Sequence, residues 1–256
     1  SDTDGDGISD IDEGLLDADN DGIEDYRDPV TDVQLMHKNL NAVNSQDLMQ
    51  TQAGMQLKVG KFSIEQQNDG AQISAQDLMP FSDSETDKVL AGEVLDFEVH
   101  GTSSINPFAR IVIPLANPIA VGAEYWKYDG LHWYIFNDSG QDYLASSARM
   151  DGLCPEVFSE LYSQGLTPFD ECLLLVISDG GSNDSDGELN GIVRDPGGLV
   201  MPKTTSHSRE QALKTVPNKS PGGSGTLSFW YLCLLMLFMV TTRAQAQESF
   251  KFIPSM

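Results

Sequence analysis

A chain of 256 residues has room for one ordinary domain with accessory segments, or for two small domains. Its formal net charge is −24, and residues 1–200 hold 9 Lys and Arg against 37 Asp and Glu, whereas residues 201–256 hold 6 against 2. So acidic a body argues against binding of nucleic acid or of anionic lipid by charge, and it favours binding of cations.

The acidity is densest at the start, where residues 1–29 contain 12 Asp and Glu and two copies of one motif, DTDGDGISDIDE and DADNDGIEDYRD. The copies begin fifteen residues apart, and their alternating Asp residues can turn their carboxylates toward one centre. Gly7 and Gly22, at the sixth position of each copy, allow the sharp turn of a loop that wraps a calcium ion. Only three residues separate the two loops, so the flanking helices of EF-hands do not fit between them.

Each copy matches a twelve-residue calcium loop with ligands at positions 1, 3, 5, 7, 9 and 12, position 7 offering its backbone carbonyl. The predicted ligands are Asp2, Asp4, Asp6, Ile8, Asp10 and Glu13 in the first loop and Asp17, Asp19, Asp21, Ile23, Asp25 and Asp28 in the second. A disordered acidic linker is the alternative, but disorder does not require Gly followed by Ile at the same place in both copies. We expect these residues to be flexible without calcium and ordered with it.

The two motifs resemble thrombospondin type 3 repeats in their bacterial form. This resemblance covers only residues 1–29, and it implies calcium-filled spacer repeats of an extracellular protein. Two repeats are fewer than such arrays usually contain, and Ser1 leads directly into the first motif. We therefore expect the chain to be the C-terminal part of a longer protein. The cysteines that the vertebrate form carries between repeats are absent from these motifs.

Residues 30–200 have a globular composition and predict an antiparallel β-sandwich. The clearest pair is a hairpin around Asp129-Gly130, and one helix is expected at 155–165. The predicted strands are short, β-branched or aromatic, and separated by turn residues. They are 58–65, 93–101, 109–116, 123–129, 131–137 and 171–179.

A third acidic cluster lies at the end of these strands. Asp184, Asp186 and Asn190 repeat the spacing of the opening loops and predict a further calcium site. The alternative is a turn of Gly, Asn and Asp whose side chains cap their own backbone.

The three cysteines are Cys154, Cys172 and Cys233. One disulfide between Cys154 and Cys172, with Cys233 inside an apolar run, would suit an oxidising compartment. Two unrelated buried thiols are the alternative.

The segments FARIVIPL, YWKYDGLHWYIF and GLTPFDECLLLVISDGGSNDSDGELNGIVRDPGG resemble the bacterial choice-of-anchor U domain, over residues 33–200. The resemblance implies a β-rich extracellular domain placed before C-terminal surface-sorting signals, with no known catalytic activity. Cys154 and Cys172 agree with the usual cysteines of that family.

Residues 201–225 read as a flexible polar linker, 226–243 as a transmembrane helix and 244–256 as a polar tail. The helix contains the apolar run LSFWYLCLLMLFMV, for which a buried core helix is the alternative. The motif just before it resembles a GlyGly-CTERM sorting signal, which implies cleavage by a rhomboid-type intramembrane protease and delivery to the bacterial surface. Its predicted cleavage residues are Gly222, Gly223, Ser224 and Gly225.

The sorting signal has an alternative, because only Arg243 follows the apolar run directly instead of a basic cluster. Ala244-Gln245-Ala246 is typical of a signal-peptidase site, with Lys214 and Lys219 as the basic region before the apolar run. The run would then be an internal signal-like segment that leads into a further outer-membrane domain.

The chain has no nucleophile elbow, HExxH, phosphate loop or CxxC motif, and its four histidines lack a partner pattern. We therefore expect no enzyme, but a non-catalytic C-terminal module of an exported bacterial surface protein, with calcium and a membrane as partners. One alternative is a carbohydrate- or protein-binding β-domain that uses the aromatic residues of YWKYDGLHWYIF. Another is a hydrolase that uses the acidic residues.

Overall fold

The computed structural model describes residues 1–40, 47–68, 70–74, 88–138 and 140–203. These residues are mainly β, in two antiparallel sheets, as the sequence predicts. Their helical elements are short, with four, three and five residues respectively. They are α1 (Asp10–Glu13), a 3-10 turn (Asp25–Arg27) and α2 (Lys61–Glu65).

The first sheet has six strands in the order β1-β2-β6-β11-β9-β10. Its centre is β11, which pairs along its whole length with β6 and is a continuous apolar run buried on both faces. The strands are β1 (Leu35–His37), β2 (Leu48–Thr51), β6 (Phe108–Pro114), β9 (Tyr143–Ser147), β10 (Ser163–Gln164) and β11 (Cys172–Ser178).

The second sheet has the order β3-β5-β12-β7-β8, and β4 also pairs with β5. Its long strands β5 and β12 pair from Ile192 and His100 to Pro202 and Lys88, with one register shift between Gly198 and Val200. The strands are β3 (Gln56–Val59), β4 (Gln72–Ile73), β5 (Lys88–His100), β7 (Glu124–Tyr128), β8 (Trp133–Ile135) and β12 (Ile192–Pro202).

One hydrophobic core contains side chains from both sheets. Ile111 and Leu175 of the first sheet and Phe97 and Val193 of the second are fully buried in it. Alternate residues of each strand face this core because side chains on a strand point to opposite faces in turn.

Most of the predicted strands are confirmed. The predicted ranges 93–101, 109–116, 123–129, 131–137 and 171–179 correspond to β5, β6, β7, β8 and β11. The hairpin around Asp129-Gly130 is also confirmed, because β7 and β8 pair antiparallel with Tyr128 opposite Trp133.

The predicted strand 58–65 is wrong beyond Val59, where α2 begins after Gly60. The reason is tertiary, since the Asp96 side chain of β5 accepts a hydrogen bond from Ser63 N at 2.9 Å and so caps the first turn of α2. A Cβ on Gly60 would overlap the Asp96 carboxylate, so only glycine leaves room for this cap. The strand propensity of residues 58–65 cannot predict a helix cap supplied by a residue 33 positions later in the chain.

Asp96 should make stability depend on pH. Burial raises its pKa from 3.8 to about 6. Because the folded-state value lies above the unfolded one, the free energy of unfolding should fall as pH rises from about 4 to 6 and the buried carboxylate ionises. The shift corresponds to about 3 kcal/mol. Asp96→Asn should make this slope shallower by the contribution of Asp96, as measured by urea unfolding across that range. Parallel pH profiles of the two proteins would contradict the assignment.

The helix predicted at 155–165 is wrong, because this segment forms turns and the short strand β10. Its apolar residues are used differently: Val157 is buried and Tyr162 packs beside it against the outer face of the first sheet. The Tyr162 hydroxyl donates a hydrogen bond to the Pro155 carbonyl at 2.8 Å, which holds the segment as a folded-back loop. This contact spans seven residues, so the loop cannot be a regular helix.

A disulfide joins Cys154 to Cys172, with Cα atoms 5.6 Å apart. It ties the residue just before the 155–165 loop to the start of β11, where Cys172 is fully buried. The two cysteines that the sequence paired are thus bonded in the structure.

Removing this disulfide should destabilise the protein. The bond closes a loop with a sequence separation of 18, and a loop of that size is worth about 3 kcal/mol through the entropy of the unfolded chain. We expect the paired substitution Cys154→Ala and Cys172→Ala to lower the urea midpoint accordingly. Reducing agent should have the same effect on the wild type and none on the double variant. Equal midpoints for wild type and variant would contradict this expectation.

Within the described part of the chain, no helix is both long and apolar enough to cross a membrane. The predicted linker, the predicted helix at 226–243 and the tail lie outside the described residues.

Candidate metal centre

The two acidic copies share one backbone conformation. At position 4 of each copy, Gly5 and Asn20 adopt the left-handed conformation, with φ of 80° and 57°. At position 6, Gly7 and Gly22 have φ of 99° and 102°. Non-glycine residues rarely adopt this conformation, and Asn is among those that tolerate it best. The sequence repeat is therefore also a repeat of structure.

The ninth residue of each copy braces its loop from inside. Asp10 accepts a hydrogen bond from Thr3 N at 2.8 Å, and Asp25 accepts one from Ala18 N at 2.7 Å. The second oxygen of Asp10 accepts a further bond from the Thr3 hydroxyl. Both Asp residues were predicted as ligands. In the structure each accepts a hydrogen bond from the backbone N–H of the second residue of its own loop.

Three carboxylates meet in each loop. One oxygen from each member of a group lies within 4.8 Å of the others, which brings them near enough to share an ion. The groups are Asp2, Asp4 and Asp6 in the first loop and Asp17, Asp19 and Asp21 in the second.

Five carboxylates at predicted ligand positions have one buried oxygen without a hydrogen-bond partner among the described residues. They occupy positions 3 and 12 of the first loop and positions 3, 5 and 12 of the second. They are Asp4, Glu13, Asp19, Asp21 and Asp28. Because buried polar atoms in proteins are almost always paired, these five oxygens at ligand positions are the atoms that a cation could bind.

The electrostatics of the second loop are correspondingly unfavourable. Burial, with the charges of Asp19 and Asp28, raises the pKa of Asp21 to about 8. Burial also raises the pKa of Asp19 to about 6 and that of Asp28 to about 7, again with help from neighbouring carboxylates. In the first loop, burial and the surrounding Asp side chains raise the pKa of Glu13. A cation among these oxygens would reverse each of these effects.

The second loop is docked on the second sheet, at the edge strand β3. The Asp21 carbonyl accepts a hydrogen bond from Val59 N at 2.7 Å, and the Asp19 carbonyl accepts one from the Gln56 side-chain amide. Ile23 is 4% exposed and belongs to the main core. The equivalent Ile8 of the first loop is 50% exposed. The loops thus share a conformation but differ in burial. That Ile8 and Ile23 bind calcium through their backbone carbonyls stays a prediction.

Gln56 and Val59 were not among the residues singled out by sequence. They hold the second loop by hydrogen bonds to its backbone carbonyls. The sequence of β3, QLKV, contains no local pattern that predicts a contact with residues more than thirty positions earlier. The burial of Ile23 had one sequence signal, since an isoleucine inside an acidic loop is out of place unless it packs somewhere.

The third acidic cluster makes its bonds within the protein. Asp184 accepts hydrogen bonds from Gly180 N at 2.9 Å and from Arg194 N at 3.0 Å. Asp186 pairs with the Arg194 guanidinium and accepts a bond from the Asn190 amide. With a guanidinium against Asp186 and backbone N–H groups on both oxygens of Asp184, this geometry favours the turn-capping interpretation of the segment.

The aromatic residues of 124–136 are largely buried or packed. Tyr125 and Phe136 lie in the main core, with ring centroids 6.2 Å apart. Tyr128 is buried between Phe62 and Trp133 on the outer face of the second sheet. Tyr125, Tyr128 and Phe136 are therefore buried, whereas Trp126, Trp133 and Tyr134 are partly exposed.

The predicted sorting residues lie outside the described part of the chain. Gly222, Gly223, Ser224 and Gly225 therefore remain a sequence prediction, as do the membrane segment and its processing.

Comparison of the chain with protein-family models, with curated proteins and with solved structures finds no match.

Proposed function

We propose that residues 1–203 form a calcium-stabilised, non-catalytic β-sandwich module of an exported bacterial surface protein. The observation that carries this proposal is the set of five buried carboxylate oxygens without a partner, at ligand positions of two loops that repeat one backbone conformation. Calcium prefers six to eight oxygen ligands, and carboxylates supply the charge it needs. Asp2, Asp4, Asp6 and Glu13 would hold one ion, and Asp17, Asp19, Asp21 and Asp28 a second.

The docking of the second loop gives the proposed ion a mechanical role. Asp21 contributes its side chain to the carboxylate group and its carbonyl to the hydrogen bond with Val59. An ion that orders the Asp21 loop therefore also orders the contact with β3. The repeats would act as a spacer whose last link is rigidly joined to the sandwich when calcium is bound.

Hydrogen exchange of the full chain, in a mild detergent, tests this proposal. Amides of residues 16–28 should exchange slowly with millimolar calcium and at least tenfold faster with a chelator, whereas β11 amides should change little because they lie in the core. Magnesium at the same concentration is the control for ionic strength and charge. Equal exchange of the loop amides in calcium and chelator would contradict the proposal.

We further propose that the C-terminal residues anchor the module in a membrane, at least transiently. The support is the uncharged run LSFWYLCLLMLFMV after a Gly-rich motif. Mass spectrometry of the mature C-terminus discriminates the possibilities. An end near Gly222–Gly225 supports processing by a rhomboid-type protease. An end after Ala246 supports the signal-like alternative, and an intact Met256 supports a plain anchor.

A carbohydrate- or protein-binding role for the β-sandwich is the second candidate. Its support is the partly exposed rim of the hairpin, where Leu131 and Ile135 are 65% and 51% exposed. Glycan-array binding that is lost on Leu131→Ser and Ile135→Ser would favour this role over a purely structural one.

A further inference from the structure

Lys127 of β7 and Asp195 of β12 form an ion pair inside the main core. The Lys127 Nζ lies 2.8 Å from Asp195 Oδ1, and both side chains are 0% exposed. Each residue faces inward, because Tyr125 and Val193, two positions away on the same strands, belong to the core. Fully buried Lys and Asp are among the rarest residues in protein interiors, so this pair requires an explanation.

The surrounding residues hold the two groups together but provide few hydrogen bonds to them. Apart from the ion pair, Lys127 Nζ and Asp195 Oδ2 have no hydrogen-bond partner among the described residues. The Tyr125 hydroxyl donates to Asp195 Oδ1 at 3.3 Å. Gly197 stands opposite Lys127, where a Cβ would lie 2.8 Å from the Tyr125 hydroxyl and 3.0 Å from Asp195 Oδ1. The glycine thus leaves the space in which the three polar groups meet.

As an ion pair, this arrangement is costly. An ammonium group has three donors and finds one acceptor here, and desolvation of two charges can exceed their mutual attraction. A secondary amide has one donor, one acceptor and no charge, so it removes most of the unsatisfied polarity at this place in the core.

We propose that Lys127 and Asp195 condense to an intramolecular amide bond that joins β7 to β12 covalently. A proton first passes from the Nζ ammonium to the Asp195 carboxylate. The neutral Nζ then attacks the carboxyl carbon, a C–N bond forms and one C–O bond breaks. The departing oxygen leaves as water, with the carboxyl proton and one proton from the nitrogen. Nothing is oxidised or reduced, and no co-reactant is needed.

The local chemistry supports each part of this step. Burial lowers the pKa of Lys127 and raises the pKa of Asp195, and both shifts favour the neutral amine and the neutral acid that must react. The Tyr125 hydroxyl can donate to the oxygen on which charge develops during the attack. Positioning on two hydrogen-bonded strands holds the reacting groups together without loss of further freedom.

Intact mass spectrometry of the reduced, denatured wild-type chain tests this proposal directly. The mass should be lower than the sequence mass by one water molecule. A tryptic digest should contain one branched product in which peptide 111–149, uncleaved at Lys127, is joined to peptide 195–203. A mass equal to that of the sequence, with cleavage after Lys127 and a free peptide 195–203, would overturn the proposal and leave an ion pair only.

The chain contains a matched control. Lys38 is also buried, and its Nζ lies 2.7 Å from Glu93 Oε2. This amine donates a second bond to the Pro114 carbonyl, and the Glu93 side chain is 19% exposed, so the pair is satisfied as ions. Trypsin should cleave after Lys38 normally. Lys127→Arg keeps the buried positive charge without the amine and should have its full sequence mass, whereas loss of water from this variant would contradict the assignment of the bond to Lys127.

Discussion

Saturating calcium should raise the free energy of unfolding of this protein by about 3 kcal/mol for each ion bound at a hundredfold excess over its dissociation constant. The reason is the crowding of carboxylates that each have one buried oxygen without a hydrogen-bond partner among the described residues, which the second loop shows most strongly. Asp21 is 1% exposed and its pKa is raised to about 8. Thermal unfolding in calcium, in magnesium and in chelator measures the effect.

The substitution Asp21→Asn makes this prediction sharper, because its effect should change sign with calcium. Without calcium, the variant should be more stable than wild type by on the order of 1 kcal/mol or more, since a buried carboxylate surrounded by others is neutralised. With calcium, it should be less stable than wild type, since a charged ligand is lost. Asp6→Asn, at the same position of the exposed first loop, is the matched control and should stabilise the calcium-free protein much less.

If the more stable of wild type and Asp21→Asn were the same protein with and without calcium, that result would contradict this account of Asp21. So would an identical calcium response of wild type and Asp21→Asn.

Ile23→Ala should destabilise the protein by about 2–5 kcal/mol, the usual cost of truncating a buried isoleucine. Ile23 is buried in the same core as the two sheets, so its loss leaves a cavity in that core and weakens the attachment of the second loop. The equivalent substitution Ile8→Ala removes the same atoms from a side chain that is 50% exposed, and should cost less than about 0.5 kcal/mol.

Urea unfolding in the presence of calcium measures this difference, with fluorescence reporting on the sheets and amide exchange reporting on the loop. Equal effects of the two substitutions would mean that the second loop does not share the core. A large effect of Ile23→Ala on the loop alone would place the loop outside the cooperative unit of the sheets.

What could be predicted from the sequence was mainly local. The loop spacing lies within twelve residues, and the left-handed positions of Gly7 and Gly22 follow from that spacing. The hairpin of β7 and β8 also depends on a short segment with turn residues at its centre.

What could not be predicted depends on distant parts of the chain. α2 exists because Asp96 caps it from another strand, and 155–165 is irregular because its apolar residues cover a sheet. β12 was not predicted as a strand because it contains Pro196-Gly197-Gly198, a sequence that is typical of a turn. In the structure these glycines allow close approach, since a Cβ on Gly198 would lie 2.7 Å from the Glu93 carbonyl.

The acidic clusters show the same division between local and distant causes. The spacing of Asp184, Asp186 and Asn190 repeats that of the opening loops, but Arg194 of the following strand pairs with Asp186. In the second loop Arg27 pairs with Glu24, which is not at a predicted ligand position, and Asp21 is buried by docking on β3. Spacing alone does not distinguish these two outcomes, since the difference lies in what the rest of the fold places against each cluster.

Calorimetric titration of the calcium-free full chain with calcium tests the central claim most directly. We expect two ions per chain, with the tighter site in the docked second loop, and loss of that site in Asp21→Asn. The absence of any binding up to millimolar calcium would contradict the proposal that these loops are calcium sites.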